Sequence, residues 1–185
     1  MCSSDLWAAE NVSSFQHWNH PCTFSAAQYQ SVWRNLVDTM RQVPGNHFTF
    51  LWNPTLRMNS QPSGRSWLDT YPGDAYVDWV GVTGYFAATS PDTFDGVYGP
   101  TMQEIRGFTA RPFIIAETSV QTGPDAAAAA QSLVSGVRQR PDVLGFAWFD
   151  YDKASVDWRL ESRPPVRAAI AAELAGLRLI DVRRQ

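Results

Sequence analysis

Four short runs of apolar residues, each separated from the next by a longer polar or amphipathic stretch, constrain this chain more than any other feature. They fall at 47–52, 77–84, 113–116 and 143–149. The third, Phe113-Ile114-Ile115-Ala116, is apolar at every position. A strand that does not alternate between apolar and polar is covered on both faces, as in a parallel sheet flanked by helices. The intervening segments supply the helices. At 25–43, Ser25 and Gln28 form a capping box, followed by a stripe of Tyr29, Val32, Trp33, Leu36, Val37 and Met40 at helical spacing. Pro44-Gly45 ends it. Asp125 caps an alanine-rich helix to about Arg138, and Pro164-Pro165 open a last helix ending near Gly176. The stretch 101–107 reads as a weak helix, with 59–73 and 90–100 as loops. With 6–10 as a first short strand, the order is an alternation of β and α in one domain over 1–177, with 178–185 as a tail.

The charge balance excludes some partners. A formal net charge of −3 over 185 residues offers no electrostatic footprint for nucleic acid or an anionic membrane. No apolar run approaches the ~20 residues that span a bilayer, and no signal peptide opens the chain, which starts almost at once in apparent structure. Two cysteines, Cys2 and Cys22, are too few to define a disulfide framework and read as unrelated thiols or a single pair. The excess is aromatic: eight tryptophans are more than a core of this size needs. Indole faces also stack on the C–H faces of sugars.

In barrels and open α/β sheets, function collects where strands end. The strand ends here carry Glu10, Trp52-Asn53, Tyr85, Glu117, and Trp148 with Asp150. Glu117 follows its apolar strand with no turn residue between, a costly place for a carboxylate that is neither paired nor working. Two strand-end glutamates beside aromatic platforms are what glycoside hydrolysis requires: one carboxyl protonates the leaving oxygen while the other attacks the anomeric carbon or activates water. Competing chemistries lack their motifs. There is no glycine-rich phosphate loop, HExxH or GxSxG. His17 and His20 form an HxxH without a third ligand at recognisable spacing, so no metal is expected.

Several stretches, in one order, carry a resemblance. They are Glu10-Asn11-Val12-Ser13-Ser14-Phe15-Gln16-His17-Trp18; Ala27-Gln28-Tyr29 with Trp33-Arg34 and Val37-Asp38; the run from Tyr71-Pro72-Gly73-Asp74 through Asp78-Trp79-Val80-Gly81 to Gly84-Tyr85; Pro112 to Glu117-Thr118; and Phe146-Ala147-Trp148-Phe149-Asp150 with Lys153 and Asp157-Trp158-Arg159-Leu160. In these the chain resembles the C-terminal part of glycoside hydrolase family 26, (β/α)8-barrel β-mannanases and related endoglucanases. The resemblance implies an α/β fold of the TIM-barrel type, present as strands four to eight of an incomplete barrel. It implies Glu10 as acid/base and Glu117 as nucleophile of a retaining mechanism. Their carboxyl groups are then expected ~5–5.5 Å apart. It further implies Tyr85 hydrogen-bonded to the nucleophile, Trp148 as floor of the subsite for the cleaved sugar, and Trp18 as a further platform.

Departures from the family pattern are specific. Ala9 stands where the family has histidine before the acid/base, Thr83 where it often has aspartate, and Phe86 where it often has asparagine. The expected function is endo-hydrolysis of β-1,4-mannan or a similar β-glycan, with a polysaccharide as partner, no cofactor, and secretion of the full-length form. A non-catalytic carbohydrate-binding or degenerate homologue is the alternative. Five strands where a closed barrel has eight leave open edges through which the chain is expected to self-associate.

Overall fold

The computed structural model describes residues 25–54, 56, 66–87, 92–153 and 156–175. The strand expected at 6–10, with Glu10, Trp18, His17, His20 and both cysteines, lies outside the described residues, as does the tail. Helix α1 (Ala26–Arg41) leads to strand β1 (Leu51–Trp52), a one-turn helix α2 (Trp67–Thr70), a 3-10 turn (Asp74–Tyr76) and strand β2 (Trp79–Thr83). Helix α3 (Phe94–Arg106), strand β3 (Phe113–Thr118), helix α4 (Ala126–Arg138) and strand β4 (Val143–Trp148) follow. A small hairpin, β5 (Asp152–Lys153) with β6 (Val156–Asp157), precedes helix α5 (Pro164–Leu174).

The sheet order is β1-β2-β3-β4, all parallel. Each strand pairs with its successor and the order never reverses. A doubly wound sheet has a switch point; the wall of a barrel does not. The fold is therefore an incomplete (β/α)8 barrel, an arc of four described strands with helices packed against it.

The core lies between strands and helices. Val80, Val82, Phe113 and Ile115 meet Tyr98 and Ile105 of α3 and Ala130 and Leu133 of α4, all at most 1% exposed. The α3–α4 contact is close because Gly136 has no side chain: a Cβ there would lie 2.2 Å from Cγ of Phe94.

Local sequence explains most elements, and tertiary contacts explain the exceptions. The Ser25 capping box is present with both of its hydrogen bonds. The α1 stripe is narrower than its periodicity suggests: Tyr29 and Val37 are buried, whereas Val32 and Leu36 are 39% and 44% exposed. Asp125 occupies the N-cap of α4, but its side chain makes no capping bond. Within the loop expected at 90–100, residues 94–100 are instead the first half of α3. Its helix propensity is poor, with Gly96, Gly99 and Pro100. The Thr93 hydroxyl caps the start by accepting from the Gly96 N–H at 3.0 Å, and Phe94 and Tyr98 are buried, so packing overrides propensity. In the expected surface loop at 59–73, Ser66 caps α2 and Trp67 and Tyr71 are buried. The strand expected from 47 pairs only at Leu51–Trp52, because the Phe50 N–H is taken by the Asp78 carboxylate at 2.8 Å.

Among the described residues no helix is long and apolar enough to cross a membrane, and no group of three or more His, Cys, Asp or Glu is placed to hold a metal ion.

Candidate active site

Glu117 is the penultimate residue of β3, at the C-terminal end of the sheet. It does not sit in plain register. Against β2, Val82 faces Ile115 but Thr83 faces Glu117; against β4, Ile115 faces Phe146 but Thr118 faces Trp148. Against β2 this leaves one extra residue in β3 between Ile115 and Glu117; against β4 the register shifts in the same stretch, between Ile115 and Thr118, after an opposite shift between Phe113 and Ile115. Such a bulge re-aims the side chains beside it, and bulges concentrate next to active sites.

The backbone around Glu117 is held firmly. The Gly84 N–H donates to the Glu117 carbonyl at 3.1 Å, and the Phe149 N–H to the Thr118 carbonyl at 2.7 Å. Pairing continues past the strands: Phe86 bridges Val120, with the Phe86 N–H donating to Ser119 at 3.0 Å and the Gln121 N–H to Phe86 at 2.8 Å. Beneath, the buried Tyr98 hydroxyl lies 2.9 Å from the Gly84 carbonyl and 2.7 Å from the Thr118 hydroxyl. One phenol thereby ties the residue before Tyr85 to the residue after Glu117.

The Tyr85 hydroxyl donates to Oε1 of Glu117. Burial, and then this hydrogen bond, push the Tyr85 phenol well above its ordinary value, so it remains a proton donor across the neutral range. The ring is fixed by Trp158, at 5.2 Å between centroids, and by Phe149 edge-on at 6.2 Å. Trp148, half-buried on the next strand, donates its indole N–H to the Trp158 carbonyl at 3.1 Å. The structure therefore brings Tyr85, Glu117 and Trp148 together. Glu10 and Trp18 are outside the described residues, and the Glu10–Glu117 separation with them.

Other strand-end positions resolve into support. Trp52 is fully buried, 5.0 Å edge-on to Tyr71, and is a core residue. Asn53 donates from Nδ2 to the Thr83 hydroxyl at 3.0 Å and lies against Gly81, where a Cβ would come within 2.7 Å of its Oδ1. Asp150 accepts the Leu160 N–H at 2.8 Å and so closes the loop that carries the β5–β6 hairpin. In that loop Arg159 grips Asp157 with two hydrogen bonds of 2.9 and 3.0 Å, which hold the Asp157 carboxyl far below the usual carboxylate range.

Sequence reasoning missed two residues. Trp158 was quoted in a motif but given no role, and Arg163, 8% exposed, packs behind both indoles. The signal for Trp158 was a tryptophan bracketed by Asp157 and Arg159, an ion pair that fixes its place in a loop.

The model of glycosyl hydrolase family 26 matches residues 8–121. The chain belongs to glycosyl hydrolase family 26. Endoglucanase H of Acetivibrio thermocellus is 29% identical over an alignment of length 149 that covers 76% of this chain and 16% of that protein. The chain thus spans a small part of that curated relative. Two mannanase structures share the fold at a TM-score of 0.57. The β-mannanase BoMan26A of Bacteroides ovatus is 16% identical, with 91% of this chain and 48% of that one covered. A double mutant of the Cellulomonas fimi endo-β-1,4-mannanase is 21% identical, covering 92% and 40%. The Sorangium cellulosum GH128 endo-β-1,3-glucanase also shares it at 0.56, with 15% identity and 80% and 63% covered. Matches to under half of each mannanase agree with an arc that retains only part of a barrel.

Proposed function

We propose that this chain is the C-terminal part of a retaining glycoside hydrolase acting inside chains of β-1,4-mannan or a similar β-glycan. The observation that carries the reading is the Tyr85–Glu117 hydrogen bond at the end of β3, walled by Trp148, Trp158 and Phe149. Glu117 attacks the anomeric carbon and forms a glycosyl ester while the bond to the leaving oxygen breaks. Glu10 gives that oxygen its proton. Water then attacks the anomeric carbon, Glu10 takes the water's proton, and the bond to Glu117 breaks to release it as carboxylate. Tyr85 orients Glu117 for the first step. Trp148 floors the subsite of the cleaved sugar and Trp18 provides a platform further along. Family 26 membership supports the glycosidase class. Because a polymeric glycan does not cross a cell envelope, the full-length protein is expected to act outside the cell.

The test is an assay of new reducing ends with β-1,4-mannan and mixed-linkage β-glucan, using the 185-residue chain, Glu10→Gln and Glu117→Gln. Hydrolysis by the wild type that falls at least 10³-fold in both variants supports the reading. Binding of glycan without turnover in the wild type supports a carbohydrate-binding homologue instead.

A further inference from the structure

Among the described residues, Arg163 is the buried cation, 8% exposed. Its side chain lies between the end of β4 and the segment after β3, and two of its three guanidinium nitrogens, Nε and Nη2, are enclosed with no hydrogen-bond partner. An enclosed charge with unmet donors is expensive, and apolar residues of similar size fill such places at lower cost. Its contacts are specific. Nη1 donates to the carbonyl of Val120, three residues after Glu117. The guanidinium carbon lies 5.9 Å from the centroid of Trp148 and 5.8 Å from that of Trp158. The Arg163 backbone is itself fixed: its N–H donates to Leu160 at 3.1 Å and its carbonyl accepts from Arg167 at 3.0 Å at the start of α5.

We infer that Arg163 is a positioning residue for the glycan site: its guanidinium locks the two indoles, Trp148 and Trp158, to the backbone that follows the nucleophile strand. The inference rests on the reading of Glu117 and Trp148 as site residues. The chemistry explains the choice of arginine. A planar cation attracts an aromatic face while its edge donates to a carbonyl, so one side chain holds three partners. Lysine has a single ammonium and reaches either the carbonyl or one ring. Methionine fills the space and does neither. Burial lowers the pKa of Arg163 while Asp157 and Asp150 raise it, and the group remains charged at neutral pH. Displacing Trp158 frees the face of Tyr85 and so loosens the donor to Glu117. The effect belongs to the chemical step more than to the capture of substrate.

The test uses the 185-residue chain labelled with 5-fluorotryptophan, whose eight 19F resonances are assigned by single Trp→Phe variants. Arg163→Met, Arg163→Gln and Arg163→Lys are compared with wild type by 19F NMR, with far-UV circular dichroism confirming the fold. Gln keeps a donor for Val120 without the charge, and serves where Met unfolds the chain. In the folded variants, Trp148 and Trp158 shift or broaden and the resonances of residues remote from Arg163 stay in place. Where the wild type hydrolyses glycan, kcat falls at least 10-fold in Arg163→Gln with KM within about 2-fold, and Arg163→Lys recovers part of the loss. Unmoved Trp148 and Trp158 resonances in a folded variant overturn the inference, as does a uniform shift of all eight. A wild type without hydrolysis defeats the proposed function alone, since the NMR result stands on its own.

Discussion

Tyr98→Phe removes one oxygen atom and tests how the site is anchored. The phenol is fully buried and lies 2.9 Å from the Gly84 carbonyl and 2.7 Å from the Thr118 hydroxyl, itself fully buried. The tyrosine has one proton, so it donates to one oxygen and accepts from the threonine when the carbonyl is the one served. In the variant both partners lose it in a place water does not reach. Each buried group left unsatisfied costs about 1–3 kcal/mol, and relaxation recovers some of that, so about 2–3 kcal/mol is expected in total. That is a large part of the ~5–15 kcal/mol of a domain and lowers Tm by roughly 5–10 °C. Urea unfolding followed by tryptophan emission reads it, with Tyr151→Phe, at a side chain 60% exposed, as a control expected within about 0.5 kcal/mol of wild type. A cycle with Thr118→Val separates the pair from the rest: the double variant is expected to lose about 1 kcal/mol less than the sum of the singles. A loss below 0.5 kcal/mol in Tyr98→Phe, or additivity within 0.3 kcal/mol, refutes the anchoring argument.

Three further outcomes follow from the same geometry. Tyr85→Phe is expected to lower kcat by about 10²-fold with KM changed little, since the lost hydroxyl orients a reacting group; unchanged turnover removes Tyr85 from the site. Burial first, then the hydrogen bond to Asp74, raise the Tyr71 phenol to about 12, so the stability it lends is whole below pH 10 and is lost as pH rises from 10 towards 12. Two units on a buried group correspond to about 2–3 kcal/mol, and Tyr71→Phe is expected to flatten the alkaline limb of a pH–stability curve by about that amount. Finally, β1 and β4 are the edges of the described sheet, with Val32, Leu36, Val43 and Phe48 exposed on one flank and Leu144 on the other. Sedimentation is expected to show self-association of the 185-residue chain that rises with concentration, and a monomer at 100 μM counts against it.

What the sequence disclosed, and what it hid, divides along physical lines. Strands covered on both faces were legible because they are continuously apolar, as at 113–116, and the caps at Ser25 and Pro164 because their chemistry is local. The start of α3 was hidden: Gly96, Gly99 and Pro100 read as a loop, and only the burial of Phe94 and Tyr98 against partners distant in sequence makes them a helix. Glu117 was legible from the cost of a carboxylate on an apolar strand. The bulge that aims it was not, since an extra residue in β3 exists only relative to the register of β2 and β4. Arg163 was invisible for the same reason, because nothing in the run Ser162-Arg163-Pro164 says that the arginine turns inward behind two tryptophans.

The residues that support Glu117 all come from 84–163, whereas the proposed acid/base, Glu10, comes from a segment far upstream in the chain. The two halves of the proposed reaction are therefore separable by choice of leaving group. General acid catalysis contributes about 10²–10⁴-fold when the leaving group is a sugar oxygen. A dinitrophenolate departs without a proton, so Glu10→Ala is expected to form the glycosyl ester on Glu117 from a dinitrophenyl β-glycoside nearly as fast as wild type. Without a base to activate water, the ester then persists. The assay is the amplitude of the dinitrophenol burst, expected to approach one per enzyme, together with the intact mass, expected to rise by one glycosyl residue. Azide, which attacks without needing a base, is expected to restore turnover. Glu117→Ala is expected to give neither burst nor mass change. A burst that survives Glu117→Ala, or a folded Glu10→Ala chain that gives no ester while wild type turns over, refutes the division of roles between the two carboxylates.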